Sequence, residues 1–166
     1  MDSDTDRDKI CCIILNYNDA ETAAGLAEEL KESRLIDDIL LVDNCSTDDS
    51  WEKFKKLELG WKKEEKEDKE DILPSLWLIR TDENGGYGSG NQAGIDYAME
   101  YLEPDYIIIA NPDVHFFDDC VKRLKEVLEA REDGAIASAM VTDPEGRELF
   151  SYWDLQPMWK DLLDTA

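Results

Sequence analysis

Short apolar runs that lack alternating polar residues are the feature that most constrains the fold of this chain. Strands without hydrophobic–polar alternation are buried on both faces, as in parallel sheets covered by helices. The runs are separated by segments of helical periodicity, which is the pattern of repeated β-α-β units. We therefore predict strands at residues 10–15, 37–42, 75–80 and 105–110, and a fifth strand at 134–140.

The intervening segments predict helices. Residues 19–33 place Ala23, Leu26, Ala27 and Leu30 on one helical face. Further helices are expected at 46–57, with Ser46 as N-cap, and at 89–102 and 117–131. The ten consecutive charged residues at 62–71 predict either a solvated helix extension or a mobile loop. The predicted fold class is α/β, with a mainly parallel sheet flanked by helices.

Charge and composition exclude several classes of function. The chain has 166 residues, of which 41 are acidic and 18 are basic, and its formal net charge is −23. Such a surface repels phosphate backbones and anionic lipids, so we expect no nucleic-acid partner. No apolar stretch approaches the ~20 residues of a membrane-spanning helix. None of the four cysteines has metal-type spacing, and the adjacent Cys11 and Cys12 would point to opposite faces of a strand, so we expect no disulfide framework and predict a cytoplasmic location.

Polar residues follow four of the predicted strands directly. In open parallel sheets, ligands bind beyond the carboxyl ends of the strands. The sequence therefore predicts a binding site at this edge of the sheet, built from the segments 16–18, 43–44, 82–90 and 111–113.

These segments offer three kinds of chemistry. Asp43 could accept hydrogen bonds from a base N–H or a ribose hydroxyl, the alternative being a helix cap. The glycine loop at 85–90 could receive a phosphate, the alternative being a flexible surface loop. Asp113 is suited to ligate Mg²⁺ or Mn²⁺, the alternative again being a helix cap, and Pro112 projects Asn111 to the same side. His115, the only histidine, is interpreted as a residue at the site's edge.

A dinucleotide-binding interpretation also needs to be weighed. Residues 88–93 match the pattern G-x-G-x-x-G/A, and Asp113 lies at the expected distance beyond it. However, several residues separate the preceding strand from the first glycine, and the unit falls at the third strand. An oxidoreductase that uses NAD is therefore kept as a less favoured alternative.

Taken together, four ordered segments resemble family 2 glycosyltransferases of GT-A fold, and especially their rhamnosyltransferase-like branch. The segments are IILNYN at 13–18, LLVDNCSTD at 40–48, ENGGYGSGN at 83–91 and IANPDV at 109–114. The turn at 142–146 extends the resemblance to about residue 150. The resemblance implies a GT-A, Rossmann-like fold and transfer of a sugar from a dTDP- or UDP-sugar donor to an acceptor hydroxyl, with inversion.

The resemblance also implies roles for individual residues. Those expected to bind the nucleotide are Asn16, Tyr17, Asn18, Asp43, Asn44, Gly85, Gly86, Asn91 and Asn111. Asp113 would ligate the divalent metal, Mg²⁺ or Mn²⁺, that bridges the diphosphate. Asn111 replaces the first Asp of the family's Asp-x-Asp motif. The acceptor would be a saccharide or a lipid-linked saccharide, and homo-oligomer formation is left open.

The predicted domain organisation follows from these assignments. Residues 1–9 are expected to be an acidic flexible N-terminus, and residues 10–150 the nucleotide-sugar-binding domain, with a charged insertion at 60–72. Residues 151–166 form an extension that is interpreted as the start of an acceptor half. No candidate general base follows the fourth segment, so a non-catalytic nucleotide-binding module is a second alternative.

Overall fold

The computed structural model describes residues 7–67, 74–143 and 145–149. It divides into two compact units, Met1–Val121 and Lys122–Ala166. The elements, in chain order, are β1 (Ile10–Asn16), α1 (Ala20–Leu30), β2 (Asp38–Asp43), α2 (Ser50–Glu67), β3 (Ser75–Arg80), α3 (Gly86–Tyr97), a π-helical turn (Ala98–Leu102), β4 (Tyr106–Ala110), α4 (Asp118–Glu129), β5 (Val141–Thr142) and β6 (Glu148–Leu149).

The first unit is built on a four-stranded parallel sheet in the order β3-β2-β1-β4. Every residue of β1 and β2 is buried, whereas the edge strands β3 and β4 are partly exposed. The predicted α/β class with a mainly parallel sheet is confirmed, and so are the four strands predicted in this unit.

Two apolar layers cover the two faces of the sheet. On one face, Cys12 and Ile14 of β1 join Ile39 and Leu41 of β2 in a cluster with α1 and α2. On the other face, Cys11, Ile13 and Leu15 join Leu40 and Val42 in a cluster with the turn after α3. Successive side chains of a strand point to opposite faces, so each strand contributes to both layers. Below, these are called the α1/α2 face and the α3 face.

Helix α1 follows its predicted pattern, since Ala23, Leu26, Ala27 and Leu30 are all buried. Asp19 is its N-cap and accepts a hydrogen bond from the backbone N–H of Thr22.

Helix α2 differs from the prediction at both ends. It begins at Ser50 rather than after Ser46, and Asp48 accepts a hydrogen bond from the backbone N–H of Ser50. The N-cap prediction for Ser46 is wrong, because the hydroxyl of Ser46 is buried and accepts hydrogen bonds from Asn16 and Asn18 instead. The helix continues to Glu67, so the first part of the charged run is a helix extension, and residues 68–71 lie outside the described residues.

The predicted flexible N-terminus is only partly described. Arg7 donates to the carbonyl of Leu35 and forms an ion pair with Asp37. The backbone N–H of Lys9 donates to Asp105 at 2.7 Å. Residues 7–9 are therefore held to the sheet, and residues 1–6 lie outside the described part of the chain.

The second unit contains one correction. Residues 134–140, predicted as a fifth strand, have no regular secondary structure, and Ile136 is 91% exposed. Glycine, alanine and serine dominate this run, so it has little apolar surface to bury and little β propensity. Instead, the short strands β5 and β6 form an antiparallel pair. The predicted turn between them is confirmed by a hydrogen bond from the N–H of Gly146 to the carbonyl of Asp143. Residues 151–166 lie outside the described residues.

Candidate functional site

A row of polar side chains crosses the carboxyl ends of three adjacent strands. The register pairs Asn16 of β1 with Asp43 of β2, and Asp43 with Arg80 of β3. The Nδ2 of Asn16 donates to Oδ1 of Asp43 at 3.1 Å. The Nε of Arg80 lies 3.1 Å from Oδ2 of Asp43, an ion pair that is not aligned as a hydrogen bond. Asn16 and Asp43 are almost completely buried and form a polar layer beneath the surface, whereas Arg80 is exposed at the outer strand.

The loops after β1 and β2 are held together by the same layer. Ser46 accepts from the Nδ2 of Asn16 at 3.0 Å and from the backbone N–H of Asn18 at 2.9 Å. Asn18 has a φ of 58°, in the left-handed region that asparagine tolerates, and its side chain accepts from the backbone N–H of Thr47 at 2.8 Å. These contacts leave Asn16 and Asn18 occupied in fixing the loop geometry.

An open cleft of about 560 Å³ lies at the same edge of the sheet. Its lining residues come from the ends of β1, β2 and β4 and from the loop that leads into α3. They are Leu15, Tyr17, Asp19, Asn44, Asn84, Gly86, Tyr87, Asn111, Pro112 and Asp113. Leu15 belongs to the α3 face, so the cleft opens on the side of the sheet that carries α3.

Asn44 ties the loop before α3 to the end of β2. Its Nδ2 donates to Oδ1 of Asn84 at 2.9 Å and to the carbonyl of Gly86 at 3.2 Å, and its Oδ1 accepts from the hydroxyl of Thr81 at 3.1 Å. Gly86 has a φ of 84°, which a side chain would disfavour, and its N–H donates to Asn84 at 2.9 Å. The start of α3, where the first N–H groups have no acceptor within the helix, is therefore fixed beside the cleft.

Two glycines bring α3 against the sheet. A Cβ on Gly90 would lie 2.5 Å from Cδ1 of Leu15, and one on Gly94 would lie 2.8 Å from Cγ2 of Ile13. By contrast, nothing lies within 4 Å of a Cβ added to Gly88. Gly90 and Gly94 permit close packing of the helix on the strands, and they do not face the cleft.

The end of β4 forms the opposite wall. Asn111 and Asp113 are exposed and line the cleft, and Oδ1 of Asn111 accepts a hydrogen bond from the hydroxyl of Tyr87 at 2.8 Å. His115 lies outside the cleft lining, and its Nδ1 is 2.6 Å from Oε2 of Glu29 on α1. In the described part of the chain, its partner is thus a carboxylate of α1.

The carboxylate and amide oxygens of the cleft could bind a hard divalent cation only if a bound ligand supplied further oxygen atoms. In residues 7–67, 74–143 and 145–149, no three His, Cys, Asp or Glu side chains are grouped so that they could hold a metal ion. Mg²⁺ and Mn²⁺ sites that act on nucleotides often use one or two carboxylates, with phosphate oxygens and water completing the octahedron. The exposed carboxylate of Asp113 fits that mode of binding, whereas an all-protein metal cage does not fit.

The structure divides the predicted site residues into two groups. Those that line the cleft are Tyr17, Asn44, Gly86, Asn111 and Asp113. Those that do not are Asn16, Asn18, Asp43, Gly85 and Asn91. Asn91 is 5% exposed, and neither of its side-chain polar atoms has a hydrogen-bond partner. Direct ligand contacts of this second group stay predictions.

Some residues of the cleft lining had no individual role predicted from the sequence, although two of them lie within the predicted segment 82–90. Asn84 and Tyr87 stand in the quoted glycine segment, and Asp19 is the N-cap of α1. An asparagine before two glycines favours a turn that its own side chain stabilises, and this signal points to Asn84. A second cleft, of about 620 Å³, is lined by residues that include Arg80, Thr81 and Ser89.

Comparisons with known proteins agree with this architecture. The model of glycosyl transferase family 2 matches residues 11–164. The mannosyltransferase PcManGT from Pyrobaculum calidifontis, solved in complex with GDP-Man and Mn²⁺, superposes with a TM-score of 0.52 and 18% identity, covering 66% of this chain and 28% of that chain. A comparison with curated proteins gave no match.

Residues 1–349 of TarS from S. aureus are also similar. One structure gives a TM-score of 0.51 at 18% identity, covering 74% of this chain and 32% of that chain. The complex with UDP gives a TM-score of 0.54 at 15% identity, covering 81% and 40%. The fold is thus the GT-A fold, and the chain spans less than half the length of these structures. In the residues described, no helix is both long and apolar enough to cross a bilayer.

Proposed function

This chain belongs to glycosyl transferase family 2, and we propose that it supplies the donor-binding part of an enzyme that transfers a sugar from a nucleoside diphosphate to an acceptor hydroxyl. The observation that carries the proposal is the cleft itself. It collects residues from all four sequence segments that resemble the family, namely Tyr17, Asn44, Gly86, Asn111 and Asp113, at the carboxyl edge of a parallel sheet.

The cleft can bind an anionic ligand despite the charge of the chain. With a net charge of −23, the protein gives a diphosphate no general electrostatic attraction. Binding must therefore use local donors, such as the N–H groups at the start of α3 and the side-chain amides at the strand ends. A divalent cation at Asp113, when bound, would supply positive charge to the departing diphosphate.

The finer assignments belong to the same proposal. The donor is a dTDP- or UDP-sugar, the transfer inverts the anomeric carbon, and the acceptor is a saccharide or a lipid-linked saccharide. In that reaction a base deprotonates the acceptor hydroxyl, which then attacks the anomeric carbon. Asn16 and Asp43 would orient the loops that hold the nucleoside, and a cytoplasmic location is part of the proposal.

The topology disfavours the NAD alternative. In a dinucleotide-binding unit, the glycine turn and the acidic residue stand at the ends of neighbouring strands. Here β3 and β4 are the two outer strands of the sheet, separated by β2 and β1. Gly88 and Gly90 also lie inside α3 rather than in the turn before it.

Calorimetric titration tests the proposal. We expect the chain to bind UDP or dTDP in the presence of Mn²⁺, to bind them much more weakly in chelator, and to show no binding of NAD. GDP is included because one structural neighbour was solved with GDP-Man. Failure of every nucleoside diphosphate to bind, with and without Mn²⁺, would refute the donor-site assignment.

The variant Asp113→Ala tests the metal assignment. We expect it to lower the metal-dependent affinity for the nucleoside diphosphate at least about tenfold, since a metal ligand is lost. The matched control is Asp96→Ala, which removes an exposed carboxylate of α3 that does not line the cleft. Equal binding by the two variants would show that Asp113 is not the metal ligand.

A further inference from the structure

The hydroxyl of Tyr87 joins the two walls of the cleft. Tyr87 lies in the first turn of α3, Asn111 directly follows β4, and the hydrogen bond between them spans 2.8 Å. Both residues line the cleft, and Tyr87 is 60% exposed, so little apolar packing holds its ring in place. The hydrogen bond is the specific contact that fixes the tyrosine to the opposite wall.

This hydrogen bond determines which end of the Asn111 amide is available. Because Oδ1 accepts the tyrosine hydroxyl, the Nδ2 group is turned away from Tyr87. Within the described residues, no hydrogen bond from Nδ2 of Asn111 to another protein group is found. Two N–H donors therefore stand on the lining of the cleft, beside the carboxylate of Asp113.

We propose that Tyr87 is a positioning residue that fixes Asn111 as a hydrogen-bond donor to an anionic oxygen of the nucleoside diphosphate, leaving Asp113 as the protein carboxylate that meets the metal. The proposal rests on the proposed function and adds a division of roles between Asn111 and Asp113. An amide oxygen can ligate Mg²⁺ or Mn²⁺, but here one of its two lone pairs already accepts from Tyr87, whereas the Nδ2 group has no hydrogen bond to another described residue.

The expected energetic effect is that of one hydrogen bond that preorganises a polar group. Such bonds change binding by about three- to tenfold when one partner is removed. Tyr87→Phe removes only the hydroxyl from an exposed ring, so the fold should be unaffected. Tyr101→Phe is the matched control, because Tyr101 is 62% exposed and lies outside the cleft lining.

The test is a double-mutant cycle measured by calorimetry with UDP and Mn²⁺ on the full chain. We expect Tyr87→Phe to weaken binding about three- to tenfold, and Tyr101→Phe to leave it unchanged. In the background Asn111→Ala, Tyr87→Phe should have no further effect, because the tyrosine acts through the asparagine. An equal loss in both backgrounds would show that Tyr87 contacts the ligand itself and would overturn the proposal.

Two further readouts separate this proposal from the proposed function. In ¹H–¹⁵N spectra without nucleotide, the side-chain amide of Asn111 should shift in Tyr87→Phe and stay in place in Tyr101→Phe. Asn111→Asp should weaken binding of UDP in chelator but raise the affinity for free Mn²⁺. If the unmodified chain binds no nucleoside diphosphate, the proposed function fails. If the unmodified chain binds UDP and Tyr87→Phe binds it with the same affinity, only the positioning role of Tyr87 is refuted.

Discussion

The two faces of the sheet use neighbouring residues of the same motifs in different ways. Asn16 and Asp43 point to the α1/α2 face, where they are buried and bonded to each other. Tyr17 and Asn44, which directly follow β1 and β2, line the cleft on the α3 face. The period of two in strand side chains accounts for the division.

The comparison shows that polar residues at a strand end have two separate roles. Some fix the loops that follow the strands, and others line the cleft. Asn16 and Asp43 direct their polar groups at each other, at Ser46 and at Arg80, so they set where the following loops begin. On the cleft, Tyr17, Asn111 and Asp113 are exposed, as a binding site requires, whereas the buried Asn44 holds the loop before α3. Substitutions on the α1/α2 face should therefore lower stability, and those on the cleft should lower ligand affinity.

Replacing Asp43 should produce the largest loss of stability. Asp43→Ala removes one of the two acceptors of the buried Asn16 Nδ2 group and the carboxylate that pairs with Arg80, and among the described residues it leaves both groups with hydrogen bonds to Ser46 alone. We expect the free energy of unfolding to fall by about 2–4 kcal/mol, as measured by urea denaturation.

Asp113→Ala is the matched variant on the cleft side. Because Asp113 is exposed, its replacement should change stability by no more than about 0.5 kcal/mol. If Asp43→Ala were equally well tolerated, Asp43 would not support the fold, and the contrast between the two faces would be lost.

Gly94→Ala should give the next largest effect. The added methyl group would lie 2.8 Å from Cγ2 of Ile13 and 3.0 Å from Cγ2 of Val42, so α3 must move away from the strands. We expect a loss of about 1–3 kcal/mol in thermal or urea unfolding.

Gly88→Ala is the control within the same helix. Nothing lies within 4 Å of its added Cβ, and alanine is the better helix former, so this variant should be as stable as the parent or slightly more stable. A similar loss in both variants would show that close packing of Gly94 on the strands is not the cause of the loss at that position.

Asn44→Ala should have a smaller effect on stability together with an effect on binding. It removes the hydrogen bonds to Asn84, Gly86 and Thr81 that hold the loop before α3. We expect a stability loss of about 1 kcal/mol and a parallel drop in UDP affinity, because the start of α3 is no longer fixed beside the cleft. Unchanged affinity in calorimetry would show that this loop does not position ligand-binding groups.

Much of the fold could be predicted from the sequence. Which of the predicted site residues line the cleft, and which are buried beneath it, could not. Apolar runs and helical periodicity identified the strands and helices of the first unit, and the polar strand ends identified the edge that carries the cleft. The strands β1 and β2 are apolar on both faces, so their pattern cannot show whether Asn16 or Tyr17 faces the cleft.

The two wrong predictions, the N-cap at Ser46 and the fifth strand, have specific physical causes. Ser46 has the residue type of an N-cap, but its hydroxyl is used by Asn16 and Asn18 from the neighbouring loop, a contact between distant positions of the chain. Residues 134–140 are mostly apolar by residue type, but most of their side chains are small. Their hydrophobicity therefore overstated their tendency to form a strand. The first error thus comes from tertiary context, and the second from the low β propensity of small residues.

The smallest predicted effect concerns Cys11 and Cys12, which lie on opposite faces of β1. Burial raises the pKa of Cys11 to about 12, and burial also raises the pKa of Cys12. The folded chain therefore keeps both thiols protonated while unfolded thiols ionise near pH 9, so stability is constant below that pH and falls as pH rises above it. At pH 9, half of an unfolded thiol with the ordinary pKa of 9.0 is ionised, so we expect a loss of about 0.4 kcal/mol per buried thiol in urea unfolding. Alkylation of native protein that reached Cys11 before Cys12 would show that the α3 face opens more readily than the α1/α2 face, and equal protection would show that both faces are held alike.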